Sequence, residues 1–272
     1  MTTPSSPPTK KSTIILAAAI GFAIGFITAC CILLLAYWHT SKPKTTVKQI
    51  AAASNKHYNG IDVSHHQGTI DWEKVAQDSC IQFVYIKATE GKTYTDPSYS
   101  AYIKGAQTQG LKCGSYHYFR MTSTAKEQFD NFKKATKPFT QDLIPMVDVE
   151  LNKCDKKGWR IDDYHTSKKV AQERDTILSS LRKLLGLFEK EYCCKPMIYC
   201  TYASYVQLIK GEFDDYPIFL GRYGNAPGID NYLIWQYSEK GRIDGIEGYV
   251  DLDQFNKGKT SKDISYISPV KP

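Results

Sequence analysis

The sequence predicts an α/β fold: a TIM-like barrel with eight strands and about five helices, preceded by an N-terminal transmembrane helix. Three observations predict it. Short apolar runs alternate with amphipathic stretches from Tyr58 onward, the strand-like runs number eight, and a charge-free stretch from Ile14 to Trp38 stands apart from both. Repeated strand and helix units imply parallel strands with right-handed crossovers, and eight is the number that closes a packed barrel. An open doubly wound sheet is the competitor, but it would be expected to keep helices between its last strands.

Residues 1–13 begin with Ser, Thr and Pro, a composition that buries no core, and read as a cytoplasmic tail. As a helix, residues 14–38 would measure about 37 Å, more than the roughly 30 Å of a hydrocarbon layer. Tyr37 and Trp38 stand where interfacial anchors belong. Lys10 and Lys11 on one side oppose Lys42, Lys44 and Lys48 on the other, so charge alone does not orient the span. The short tail places the N-terminus inside, giving a single-pass protein of the cytoplasmic membrane with its long part outside. Ala17, Gly21, Gly25 and Ala29 recur every four residues, a face suited to a weak homodimer. Ile27-Thr28-Ala29-Cys30 resembles a lipobox, and the alternative is a lipoprotein anchored at Cys30; the apolar run Ile32–Tyr37 argues against it. Residues 39–56 are a polar linker, 57–260 the barrel and 261–272 a C-terminal tail.

Within the barrel the strands are Gly60–Val63, Ile81–Ala88, Leu111–Phe119, Ile144–Glu150 and Lys195–Thr201, followed by Pro217–Gly221, Tyr232–Tyr237 and Ile246–Phe255. Helices are expected at Ile70–Asp78, after Pro97, after Thr124, over Thr166–Glu191 and over Tyr202–Lys210. Thr124 and Glu127 have capping-box spacing, and Phe129 and Phe132 follow on one face.

Lys and Arg total 35 against 28 Asp and Glu, a formal charge of +7. This mild surplus suits an anionic wall or membrane surface and is too weak, with no accompanying motif, for a nucleic-acid partner. Eight Cys lack zinc-site spacing, and a disulfide is expected between Cys80, before the second strand, and Cys113, at the start of the third. Cys154, Cys193, Cys194 and Cys200 leave further pairing open, and reduced core thiols are the alternative.

In such barrels the reactive groups sit at the C-terminal strand ends. Asp62 ends the first strand, Asp148 and Glu150 the fourth, and Asp251 with Asp253 lie on the last. Alternation puts Asp148 and Glu150 on one face, and closure brings Asp62 and Asp251 together across the seam. Tyr116, Tyr118, Tyr199, Trp235 and Tyr237 supply aromatic faces on which a sugar can stack, with Gln236 as a hydrogen-bonding group. Glycoside hydrolysis asks for such a set: one carboxylic acid of raised pKa to protonate the leaving oxygen, and an ionised partner to meet the oxocarbenium charge. No metal or other cofactor is expected. His65 and His66, read as a strand end, point to opposite faces without a third ligand, and His117 reads as a hydrogen-bonded barrel residue. Arg120 and Arg222 are candidates for contacts to carboxylates.

These residues resemble family 25 of the glycoside hydrolases, lysozymes that cleave after N-acetylmuramic acid in peptidoglycan. The resemblance runs from His57 to Gly258. It is carried by Gly60-Ile61-Asp62-Val63-Ser64-His65-His66-Gln67-Gly68 with Ile70-Asp71-Trp72, by Tyr85–Gly91, by Gly114–Phe119, by Asp148-Val149-Glu150, and by Trp235-Gln236-Tyr237 with Val250–Asp253. It implies that residues 57–260 form a catalytic domain acting on peptidoglycan glycan strands. Glu150 would be the general acid and base, and Asp148 would steady the developing charge or orient the substrate's N-acetyl group. Asp62 and Asp251 would hold the sugar. A non-catalytic wall-binding protein and a hydrolase of chitin-like chains are the alternatives.

Overall fold

The structure is a computed structural model that describes residues 57–150 and 164–267. The expected cytoplasmic tail, transmembrane helix, linker and Cys30 lie outside the described residues; among those, no helix is long and apolar enough to cross a membrane.

The described residues form nine strands and five α-helices. In chain order these are β1 (Gly60–Val63), α1 (Trp72–Ala76), β2 (Phe83–Glu90), β3 (Tyr94–Thr95), α2 (Tyr99–Thr108), β4 (Lys112–Tyr118), α3 (Ala125–Thr136), β5 (Met146–Val149), α4 (Tyr164–Tyr192), β6 (Met197–Thr201), α5 (Tyr202–Ser204), β7 (Ile218–Gly221), β8 (Ile234–Gly241) and β9 (Val250–Phe255). A π-helical turn over Tyr205–Ile209 prolongs α5. Eight strands close a barrel in the order β1-β9-β8-β7-β6-β5-β4-β2, with β2 returning to β1, and β3 is a short hairpin partner on β2.

The expected barrel is present with one correction. All strands were expected to run parallel, but β9 is antiparallel to both β8 and β1. The connection Arg242–Tyr249 is too short for the dozen or more residues that a parallel crossover needs, so the chain turns back as a hairpin. This reversal puts the start of β9, not its end, at the rim where β1 and β5 finish.

Strand alternation builds two cores. Phe83, Tyr85, Tyr116, Met146, Met197, Tyr199, Phe219 and Ile234 fill the barrel, while Val84, Ile86, Val147, Val149 and Ile198 face outward against Ile103, Phe132, Leu184 and Phe188. The Thr124 capping box forms as expected: its hydroxyl accepts from Glu127 N–H and the Glu127 carboxylate accepts from Thr124 N–H. Ile264 is fully buried with the interior cluster, and Leu143 bridges Ser265. The boundary expected at residue 260 is therefore too early, because Ser261–Ile264 forms a 3-10 turn that closes the lower end of the barrel.

Among the described residues Cys113, Cys193, Cys194 and Cys200 are free, so the expected Cys80–Cys113 disulfide is absent. Strand β2 begins at Phe83, and Cys113 pairs with Val84. Cys80 sits in the turn that precedes β2, outside the register that pairs β2 with β4. Burial instead pushes the Cys113 thiol up to about 12.

Candidate active site

Asp62, on the inner face of β1, is directly opposite Asp251 on β9. Asp148, on the inner face of β5, pairs with Tyr118 on one side and Tyr199 on the other, and Glu150 follows just past the strand end. The chain expected these four acids to meet at one mouth, and they do so: Glu150 acts electrostatically on Asp62, Asp148 and Asp251, and Asp62 on the other two aspartates.

Their titration follows from that crowding. Burial drives Asp62 up; a hydrogen bond from Gln236 opposes this, the charge of Glu150 adds to it, and the carboxyl comes to about 7. Asp251 is raised to about 9 by burial and then by Asp62. Burial and then Glu150 hold Asp148 well above the usual carboxylate range, although the Lys87 ammonium pulls it back. Low-dielectric surroundings and like charges disfavour ionisation in the same direction. The cluster therefore stores protons at neutral pH, the property that distinguishes an acid catalyst from a solvated strand end.

Gln236 organises the seam. Its Nε2 donates to Asp62 Oδ2 at 2.5 Å, while its Oε1 accepts from the hydroxyls of Tyr199 at 2.7 Å and Tyr223 at 2.5 Å. Two hydroxyl donors on one amide oxygen fix which way the amide points, so the N–H must face the carboxylate. Gly221 makes room for this arrangement: a Cβ there would lie 2.5 Å from the Tyr199 hydroxyl. We predict that Gly221→Ala displaces that hydroxyl, costs about 1–3 kcal/mol of stability and lowers activity. Urea denaturation and a wall-lysis assay check this, and a variant matching the parent in both would show that the floor is not close-packed.

Among the expected sugar-binding residues, Tyr116, Tyr199 and Gln236 are buried beneath the acids. Tyr118 stands at the rim, with Lys87 Nζ 4.8 Å and Arg120 Cζ 5.0 Å from its ring centroid. Trp235 and Tyr237 do not belong with them. They alternate with Gln236, so they occupy the outer face of β8, where Tyr237 packs on the outer core and Trp235 Nε1 donates to Arg222 O at 2.9 Å. Three consecutive strand residues cannot share one face, so only Gln236 of this run points inward.

Arg120 is engaged by Glu90, and Arg222 stacks 3.7 Å from the Tyr202 centroid while donating to Pro227 O, so neither is a spare guanidinium. His65 and His66 lie on a 3-10 turn with ring centroids 4.0 Å apart, not on opposite faces of a strand; His65 Nδ1 is 2.9 Å from Asp96 Oδ2. His117 bridges Thr89 at 2.7 Å and Gln128 at 3.2 Å, the structural role expected, and burial lowers it to about 4. Two residues escaped the sequence reading. Lys87 is 8% exposed and bonds Glu90 Oε2 at 2.7 Å, and a lone lysine inside Phe83–Ala88 was the available signal. Tyr223 sits in a loop without periodicity and offered none.

A family model described as glycosyl hydrolases family 25 matches residues 61–246. The chain is 34% identical over 204 residues to an autolytic lysozyme of Clostridium acetobutylicum, covering 73% of this chain but only 56% of that protein. It is 30% identical over 232 residues to lysozyme M1 of Streptomyces globisporus, covering 77% of this chain and 71% of the relative. A family 25 glycosyl hydrolase from Bacillus anthracis superposes with a TM-score of 0.63 at 26% identity, over 77% of this chain and 96% of the other. With β2 to β8 and the acids Asp62, Asp148 and Glu150 all inside the matched stretch, the chain belongs to glycosyl hydrolase family 25.

Proposed function

We propose that the chain is a muramidase that hydrolyses the β-1,4 bond between N-acetylmuramic acid and N-acetylglucosamine in peptidoglycan. The observation that carries this reading is the convergence of Asp62, Asp148, Glu150 and Asp251 on one barrel mouth. Relatives named as lysozymes support it.

Glu150, at the rim, protonates the departing glycosidic oxygen and then takes a proton from the incoming water. Asp148 lies one strand repeat deeper on the same face, roughly 6.5–7 Å away stem to stem. Burial and the nearby charge of Glu150 hold the Asp148 carboxyl well above the usual carboxylate range. As positive charge grows at the anomeric carbon, the ionised form of Asp148 becomes the favoured one, and the proton goes with Glu150 to the leaving group. Asp62 and Asp251 hold the sugar from the seam, and Tyr116, Tyr118, Tyr199 and Gln236 shape the subsite. No cofactor enters the scheme.

Residues 14–38 would tether this domain outside the cytoplasmic membrane, with the Ala17, Gly21, Gly25 and Ala29 face available for weak pairing. Protease added to intact cells should then remove the barrel. The reaction itself is tested by digesting purified peptidoglycan, reducing the products and reading them by mass spectrometry. Products ending in reduced muramic acid are expected. Ends of reduced glucosamine would replace the bond assignment, and glycan binding without new reducing ends would replace catalysis by adhesion.

A further inference from the structure

Asp253 is the one acid of the cluster that the reaction scheme leaves unused. It lies one strand repeat below Asp251 on β9, opposite Gly60 of β1 and opposite Gln236 of β8. Its side chain is 0% exposed, and among the described residues neither oxygen meets an N–H or O–H donor. The group beside it is the carboxyl of Asp62. Two carboxyls make a favourable contact only when one of them carries a proton between them. Asp62 already accepts from Gln236 Nε2, which favours its anion, whereas Asp253 has no such support.

We propose that Asp253 is a positioning residue: a carboxylic acid that keeps its proton at neutral pH and donates it as a hydrogen bond to Asp62, clamping Asp62 between Gln236 and itself. The groups around Asp253 are Asp62 from β1, Gln236 and Tyr237 from β8, Tyr85 from β2 and Asp251 from its own strand, and none is a cation. Burial, followed by the charges of Asp62 and Asp251, holds it well above the usual carboxylate range, while the shared contact lowers Asp62 and raises Asp253. A fully buried anion with neither donor nor counter-ion is the state that proteins avoid by neutralising the group. The clamp also gives the antiparallel turn-back of β9 a chemical use. An acid-x-acid pattern entering from the rim places its first carboxyl at the mouth and its second against the flank of Asp62.

The bearing on rate rests on the muramidase reading, but the proton on Asp253 belongs to the free protein and is measured without substrate. In the full chain labelled with carboxyl-13C aspartate, one signal, absent from Asp253→Asn, should stay at the protonated position through neutral pH, while that of Asp62 titrates near 7. A signal of Asp253 at the ionised position at neutral pH overturns the proposal, whatever the activity. In catalysis, Asp253→Ala should move the Asp62 titration, and any limb of the kcat/KM profile that follows it, up by about one pH unit, since one donor to the anion is lost. Asp253→Asn, whose amide N–H replaces the acid proton, should recover most of that shift. Equal shifts in both variants, or none in Asp253→Ala, would overturn the donor role. Failure of the parent to cleave peptidoglycan with the titration as stated would overturn the reaction and leave the clamp.

Discussion

Glu150→Gln should lower kcat on peptidoglycan by about three orders of magnitude, the middle of the range for losing a positioned proton donor, with KM little changed. Gln keeps the shape and hydrogen-bonding capacity of the side chain but cannot give up a proton. Removing one acid also relieves Asp62, Asp148 and Asp251, on each of which Glu150 acts. The variant should therefore fold at least as stably as the parent, and the pKa of Asp148 should fall, because a like charge has gone. The pairing of lost turnover with unharmed stability separates a catalytic role from a structural one. Residues 56–267, purified with and without the change, are compared in wall lysis and thermal melting. A variant that lyses walls at the parent rate would remove Glu150 from the chemistry and pass the role to Asp148.

How the acids assemble was readable from the chain in part. Strand alternation in Val147-Asp148-Val149-Glu150 is strictly local, so it put both acids inside and both valines outside, where Val147 and Val149 pack against helices. The meeting of Asp62 and Asp251 followed from closure, which depends only on strand count. Strand direction depends instead on connection length, and the short turn from β8 to β9 brings Asp251 to the rim on a reversed strand. Gln236 drew notice beside two aromatic residues, but its function comes from three partners, Asp62, Tyr199 and Tyr223, that are remote in sequence. Lys87 shows the same limit. A bulge between Lys87 and Thr89 re-phases β2, so that Glu90 comes to face Tyr118 and bonds both Lys87 and Arg120. Burial pushes Glu90 up, yet those two cations outweigh it and leave its carboxyl below the usual value. Simple alternation through β2 does not predict that network.

Asp251→Asn should stabilise the fold, and by more as the pH rises. The carboxyl of Asp251 is raised from 3.8 to about 9 by burial, then by Asp62, Glu239 and Glu150. A carboxyl whose folded pKa exceeds its unfolded one binds its proton more tightly in the folded state. Its contribution to stability is fully present below the unfolded value of 3.8 and is lost as pH climbs through about 9. Asn does not titrate and loses nothing over that window. Each pH unit inside the window corresponds to about 1.4 kcal/mol, so near neutrality the full difference would be about 4 kcal/mol. Partial access to water and the release of Asp62, which is coupled to it, bring the expected gain to about 2 kcal/mol. The urea midpoint of Asp251→Asn should thus match the parent near pH 4, exceed it at pH 7 and exceed it further at pH 8. A gap that stays constant or narrows with rising pH would mean that Asp251 is ionised in the fold and its charge already compensated. A growing gap would show that the seam is held under electrostatic stress at working pH, with the acids kept together by β1–β9 pairing in spite of their mutual repulsion.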